Sequence, residues 1–301
     1  MLDLIIIGAG PAGITASVYA ARKKMNFLVI SKDIGGQAAW SGDIENYTGY
    51  QFISGPELAQ KFEEHMRKYS IAVKESEEVA LVEKSDEVIK VVTSKSEYEA
   101  RSVIIASGKR SRELGIPGEK EFKNKGLTYC ATCDGPIFAG KDVAIIGGGN
   151  SALDAALQMI NIGRKVYIIN NKDILGGDAV MRHKVEENVK VKVFNKTQVT
   201  AVLGEKMVTG IRIQNRDNHA EELVPVEGVF VEIGLEPNSE FAKGIAKNER
   251  AEIKVNAYNE TNVAGIFAAG DVTDVPEKQI IIAAGEGSKA LLSVFRYLAK
   301  Q

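Results

Sequence analysis

The 301-residue chain holds only two cysteines, three histidines and seven prolines. Two cysteines exclude a disulfide-stapled miniature, and at roughly 100 to 200 residues per domain the length predicts two domains with ordinary hydrophobic cores. No apolar run approaches the roughly 18 residues of a transmembrane helix, so the chain is expected not to span a bilayer. Charge of neither sign dominates: 38 Lys+Arg against 40 Asp+Glu leave a net charge of -2. That balance removes any global electrostatic reason to bind nucleic acid or an anionic membrane. Glycine is the exception to this scarcity, since 29 residues exceed the ~7% of average usage while proline stays low. The excess is therefore not low complexity, and some specific structure must use it.

The first residues, Met1-Leu2-Asp3-Leu4-Ile5-Ile6-Ile7, resemble the start of a signal peptide. They carry no basic leader and run directly into Gly8-Ala9-Gly10-Pro11-Ala12-Gly13, which reads as a first strand meeting a glycine turn. The expected location is cytoplasmic. In such a reducing compartment Cys130 and Cys133, two residues apart, point to redox or metal chemistry rather than a structural brace.

Apolar runs at 4–7, 28–30, 103–106, 143–146, 166–169, 229–233 and 266–269 have the length and β-branched content of buried strands. Helical patterns follow several of them, over 12–22, 153–162 and 287–298. This alternation predicts an α/β chain of doubly wound parallel sheets. Alternating polarity over 79–95 and 190–214 predicts added antiparallel meanders. The strand–glycine turn–helix unit occurs twice, at Gly8 and at Gly147, which implies two dinucleotides or two halves of one reaction. Segments 109–118 and 236–242, rich in charge, Gly or Pro, are expected to be two crossings between domains. The second domain, 113–242, would then be inserted in a first domain made of 1–112 and 243–301.

In the first turn Gly8 permits the tight bend, Gly10 lets a pyrophosphate approach the backbone and Gly13 lets helix pack on strand, with Pro11 and Ala12 opening the helix. An acid expected about 20 residues on, for the ribose diol, is replaced by Ser31 with Asp33 two further along. The second turn, Gly147-Gly148-Gly149-Asn150-Ser151-Ala152, is a GxGxxA variant. Its strand ends in Asn170-Asn171-Lys172, which offers neither an acid for a diol nor an arginine pair for a 2′-phosphate. Zinc at the CxxC would need about four ligands, and the only histidines, His65, His183 and His219, stand isolated. No metal site is expected, two inert core cysteines remain an alternative, and the favoured reading is a dithiol cycling with a disulfide. Asp134, directly after the pair, could protonate a departing thiolate. A strand ending in Gly270-Asp271 adds a carboxylate suited to a polyol.

Taken together these residues resemble the low-molecular-weight thioredoxin reductases and the related flavin domain of alkyl hydroperoxide reductase flavoproteins. The resemblance covers essentially the whole chain. Its ordered elements are Gly8 to Gly13, Gly35-Gly36-Gln37, Ile44-Glu45-Asn46-Tyr47, Ala106-Ser107-Gly108, Cys130-Ala131-Thr132-Cys133-Asp134-Gly135, Gly147 to Ala152, Gly270-Asp271-Val272, Gln279 and Ala283-Ala284-Gly285. The resemblance implies FAD in the discontinuous first domain. Gly8, Gly10, Pro11, Ala12 and Gly13 would meet its pyrophosphate. Gly36, Gln37, Asn46, Ala106, Gly108, Gly270, Asp271, Gln279 and Ile280 would lie along the rest of the cofactor. It also implies a pyridine-nucleotide domain in which Gly147, Gly149, Asn150, Ser151, Asn170 and Lys172 bind the donor. Cys133 would lie nearest the flavin, Cys130 would attack the partner's disulfide, Asp134 would be the general acid, and the chain would be a homodimer.

Where NADPH-dependent members carry His-Arg-Arg and a further Arg, this chain has Asn170-Asn171-Lys172 and Gly176, and a point charge does not replace a bidentate fork. The Tyr-Arg usual before Gln279 is Glu277-Lys278. These departures favour NADH over NADPH. The expected activity is transfer of electrons from a nicotinamide, through FAD and Cys130-Cys133, to a thioredoxin-like or glutaredoxin-like protein disulfide. A ferredoxin donor, a dithiol oxidase and a non-catalytic redox sensor are the alternatives.

Overall fold

The computed structural model describes every residue except 41, 42, 45 and 87, and every side chain except those and residues 40, 43, 132 and 133. Contacts divide the chain into one compact unit of Met1–Arg110 with Glu236–Gln301 and a second of Ser111–Leu235. The divisions fall a few residues before the expected 112 and 242. Residues from 236 onward already build the first unit, where Val82 N–H donates to the Phe241 carbonyl at 2.9 Å and Ala242 and Ile245 join the core.

In the first unit a sheet runs in the order Val73–Lys74, Phe27–Ile34, Leu2–Ala9, Glu97–Ile105, Val88–Thr93, Val79–Ser85, with Ile266–Ala268 also paired to Glu97–Ile105. The pairs among the first four strands and with Ile266–Ala268 are parallel, and the 79–93 hairpin adds antiparallel pairs. Leu4, Ile5 and Ile6 are all fully buried, as a parallel strand covered on both faces requires. Helices Pro11–Arg22 and Ile280–Leu298 cover one face, and small residues let them approach closely. A Cβ added at Gly287 would meet the Ala12 carbonyl oxygen at 2.0 Å. The last helix starts seven residues before the expected 287.

The second unit has a wholly parallel sheet in the order Leu127–Thr128, Gly228–Val231, Asp142–Ile146, Lys165–Ile169, Val191–Phe194. A three-stranded antiparallel sheet, Thr197–Gly204, Val208–Asn215 and Glu221–Val224, packs beside it around Ile211 and Ile213. The expected 190–214 meander thus begins with a parallel edge strand. Val191–Phe194 is captured by the main sheet because its backbone pairs with Val166–Ile169 before the chain turns at 195–196.

Candidate functional site

In the first unit the strand Leu2–Ala9 passes through Gly8, at φ 102°, in its last residues, and Gly10 leads the helix in an extended conformation with no side chain capping it. The helix N-terminus therefore keeps its N–H groups for an outside acceptor. The three glycines divide their work sharply. A Cβ at Gly8 would lie 2.3 Å from the Ala106 carbonyl oxygen, and one at Gly13 would lie 1.8 Å from the Gly8 carbonyl oxygen. At Gly10 the nearest atom would be the Gly36 Cα, 4.0 Å away. The outer two glycines are filled by the protein and the middle one is free of any close contact, which is the cradle a pyrophosphate needs.

Ser31 does not point outward to a ribose. Its hydroxyl accepts the Ala9 N–H at 3.0 Å and donates to the Asp33 carbonyl at 2.6 Å, so it braces the strand end. Around the same turn Gly36, at φ 55°, lies against Gly10, and Gln37 Nε2 donates to the Lys109 carbonyl. Asn46 Nδ2 donates to Gln279 Oε1 at 3.1 Å, joining residues 233 apart in the sequence. Ala106 N–H bonds to the Ile7 carbonyl, Gly108 has open space at its Cβ position, and Gly270, at φ 76°, packs on Ala12. Gln279 stands at the N-cap of the last helix and Ile280 is its first residue.

Beside these residues lies a charge cluster that sequence reasoning missed. Lys109 Nζ meets Glu252 Oε1 at 2.6 Å and Lys278 Nζ approaches the same oxygen at 3.5 Å, while Asn248 donates to Oε2 at 2.6 Å. Burial opposes the Glu252 charge, yet the two lysines and Asn248 hold its carboxyl below the usual range. Burial pushes the Asp271 carboxyl up, against the pull of Lys278 and Lys109, and burial with Lys109 repulsion lowers Lys278. Lys278 Nζ also donates to the Thr273 carbonyl, so the ammonium that stands where the family usually has an arginine is held between Glu252 and the backbone.

The second unit repeats the turn. A Cβ at Gly147 would meet the Glu232 carbonyl oxygen at 2.2 Å, and one at Gly149 would meet nothing within 4 Å. Gly149 caps helix Asn150–Ile162 with no side-chain bond, and Ala152 packs where a third glycine would stand. Ser151 is exposed. Asn150 Oδ1 instead accepts the Asp178 N–H at 2.8 Å and so fastens the 177–178 loop.

Asn170 corrects an expectation. It is buried, and its Nδ2 donates to the Lys172 carbonyl and to Asn195 Oδ1 while its Oδ1 accepts the Lys172 N–H. With every polar atom engaged it shapes the strand end and does not reach out to a ribose. Asn170→Ala is expected to cost about 1–3 kcal/mol, the scale for leaving buried polar groups unpaired, as read from the shift of a urea unfolding curve. Lys172 is exposed, and next to it Lys196 holds Asp217 at 2.8 Å and Asp173 at 3.7 Å.

The cysteine motif opens the short helix Ala131–Asp134. Cys130 is disulfide-bonded. The Cys133 side chain lies outside the described residues. Thr128 ties the motif together: its hydroxyl donates to Asp134 Oδ2 and accepts the Cys130 N–H at 3.2 Å. Tyr129 is fixed by its hydroxyl on Glu119, which also accepts the Leu114 and Gly115 N–H groups. On the other side Glu232 accepts the Ala131 N–H at 3.4 Å. Thr128, Glu119 and Glu232 carry no spacing signal, because they come together only through the order of the parallel strands.

Residues 2–287 match the pyridine nucleotide-disulphide oxidoreductase family. The chain is 39% identical over 299 residues to an NADH dehydrogenase of Bacillus subtilis, and 41% identical over 303 residues to a subunit of the alkyl hydroperoxide reductase of Pseudomonas putida. Each alignment covers 99% of this chain, which spans only 59% and 58% of those relatives. The thioredoxin reductase of Streptococcus pyogenes is similar at 34% identity, with a TM-score of 0.81 and coverage of 100% of this chain and 99% of that one. The family implies FAD and a nicotinamide cofactor, and two glycine turns, each open at its middle glycine, fit two dinucleotides. The chain belongs to the pyridine nucleotide-disulphide oxidoreductase family.

Proposed function

We propose that this protein is a disulfide reductase that takes electrons from NADH, passes them through FAD to the Cys130–Cys133 disulfide, and delivers them to the disulfide of a small thioredoxin-like or glutaredoxin-like protein. The carrying observation is that the unit with the open Gly149 turn also holds Cys130 as a disulfide, so a dinucleotide site and a redox-active sulfur share one fold. FAD, when bound, accepts a hydride from the nicotinamide and returns its two electrons to a disulfide.

The chain's own residues do the rest. Gly10 and the N-terminus of Pro11–Arg22 receive the FAD phosphates, and Gln37, Asn46, Asp271 and Gln279, on elements far apart in sequence, position the rest of the molecule. Gly149 and the N-terminus of Asn150–Ile162 do the same for the donor. Asp134 serves as the general acid for the departing thiolate, held beside the motif by Thr128, whose hydroxyl donates to its carboxylate and accepts the Cys130 N–H. Cys130 attacks the partner disulfide as the thiolate, forming a mixed disulfide that Cys133 resolves.

The donor follows from the strand end. A 2′-phosphate would find the carboxylates of Asp173 and Asp217 beside Lys172, and no bidentate arginine in place of Asn170 or Asn171. Charge-assisted bonds to such a dianion are worth roughly 1.5–3 kcal/mol each, so one lost bond already means about tenfold. NADH is expected to exceed NADPH by at least about tenfold in kcat/KM. Initial rates over a concentration series of each nucleotide, with one thioredoxin-like acceptor, check this. Equal or better use of NADPH would contradict it and turn attention to Lys172, Arg182 or Arg216, whose Nη1 donates to the Asn171 carbonyl at 2.9 Å, as phosphate ligands. The relatives named NADH dehydrogenase support the same choice.

A further inference from the structure

Glu232 follows the strand Gly228–Val231 at the point where the parallel sheet of the second unit meets the glycine turn. Its N–H donates to the Ile146 carbonyl at 2.8 Å, and its own carbonyl lies where a Cβ on Gly147 would fall. Its carboxylate turns to the cysteine motif and accepts the N–H of Ala131, the residue after Cys130. Among the described residues no arginine or lysine contributes to its ionisation. Burial pushes the carboxyl up to about 7, the Ala131 N–H pulls it down, and Asp154 of helix Asn150–Ile162 pushes it further up. The other acids near the motif are engaged elsewhere: Asp134 accepts the Thr128 hydroxyl, and Glu119 accepts Tyr129 and two backbone N–H groups. The structure thus keeps, one residue from a disulfide sulfur, a carboxyl that can exchange its proton near neutral pH.

We propose that Glu232 is a positioning residue that takes up a proton when the Cys130 disulfide is opened and gives it up when the disulfide closes. The inference rests on the disulfide-reductase reading, with Cys133 as the second sulfur. Opening the bond breaks S–S and consumes two electrons, supplied by the reduced nicotinamide through FAD or by an added dithiol. One sulfur is protonated and the other remains a thiolate. The new negative charge disfavours a second one nearby, so the Glu232 carboxylate takes the second proton. When a partner disulfide reoxidises the pair, S–S forms again, two electrons leave, and the proton held by Glu232 departs with that held by the thiol to balance the two partner thiolates.

The sign follows from linkage. Below about 7 Glu232 is protonated with the disulfide open or closed, and well above that it is ionised in both. Between these limits only the dithiol form holds the proton, so lowering the pH through this window favours the dithiol by an extra factor. A coupling of one pKa unit makes that factor tenfold.

The test uses the flavin-loaded protein and its Glu232→Gln variant, equilibrated anaerobically with reduced and oxidised dithiothreitol from pH 6 to 9. The thiols are trapped by alkylation and counted by mass. The ratio of the wild-type to variant dithiol:disulfide constants is expected to be flat below about pH 7 and to fall roughly tenfold above it. A ratio constant within twofold across the range would overturn the proposal. Infrared difference spectra of wild type at pH 8, reduced minus oxidised, should show a gain of protonated carboxyl that the variant lacks. Its absence in wild type would also overturn the proposal, whether or not the variant folds. If Cys130 and Cys133 trapped no pair of thiols in reduced wild type, the disulfide-reductase reading itself would fail, which is a distinct result.

Discussion

Cys130→Ser is expected to lower NADH-dependent reduction of a thioredoxin-like disulfide by about three orders of magnitude or more, the scale on which loss of a covalent nucleophile registers. A serine hydroxyl cannot form the mixed disulfide through which the exchange passes. Flavin reduction by NADH should stay within about twofold of wild type, because the sulfur acts after that step. The N–H of residue 130 still meets Thr128 and the backbone carbonyl of residue 130 still meets Asp134 N–H, so the fold of the motif does not depend on the sulfur. The two rates, measured separately by stopped-flow absorbance and by steady turnover, decide it. Near wild-type turnover with serine at position 130 would show that electrons leave the protein by another route.

The second large effect separates the glycines of the first turn. Gly13→Ala places a methyl 1.8 Å from the Gly8 carbonyl oxygen, and both sides of that contact are backbone. The strand and helix must part, so the variant should lose both FAD and several kcal/mol of stability, about the cost of overpacking in a tight core. Gly10→Ala differs. Its backbone is extended at φ -80°, which alanine adopts freely, and its Cβ would make only an ordinary contact, with the Gly36 Cα at 4.0 Å. The apo form should unfold within about 0.5 kcal/mol of wild type, yet hold FAD at least about tenfold more weakly, since the methyl occupies the place of a phosphate. Flavin content after gel filtration and urea unfolding of the apo forms give the two readouts. If Gly10→Ala bound FAD as tightly as wild type, the phosphate would not pass that glycine.

These effects are legible in the sequence because both glycine turns lie inside a continuous stretch of chain. Each apolar strand, bend and helix start sit within about a dozen residues, so spacing alone exposes them. The helix Gly55–Arg67 is readable in the same way, with Pro56 in its first turn, a capping box between Ser54 and Glu57, and Leu58, Phe62 and Met66 four residues apart on one face. The charge cluster is another matter. Lys109 and Glu252 stand 143 residues apart, and only the return of the chain into the first unit brings them together. Asn170 reads as a donor to ribose because its residue type permits it. What prevents it is Asn195, just beyond a strand that alternating polarity assigns to an antiparallel meander and that in fact pairs in parallel. Glu232 hides for a similar reason, as one acid at the end of an apolar strand whose neighbour in space is Ala131, 101 residues away.

The central claim is that one chain carries electrons from NADH to its own cysteines. The direct measurement mixes the yellow, oxidised protein anaerobically with one equivalent of NADH, follows the flavin absorbance, and then counts alkylated cysteines by mass. The account predicts rapid bleaching, recovery of the yellow colour as electrons move on, and two new thiols at Cys130 and Cys133 per NADH consumed. Bleaching with no thiols, or no bleaching at all, would contradict it.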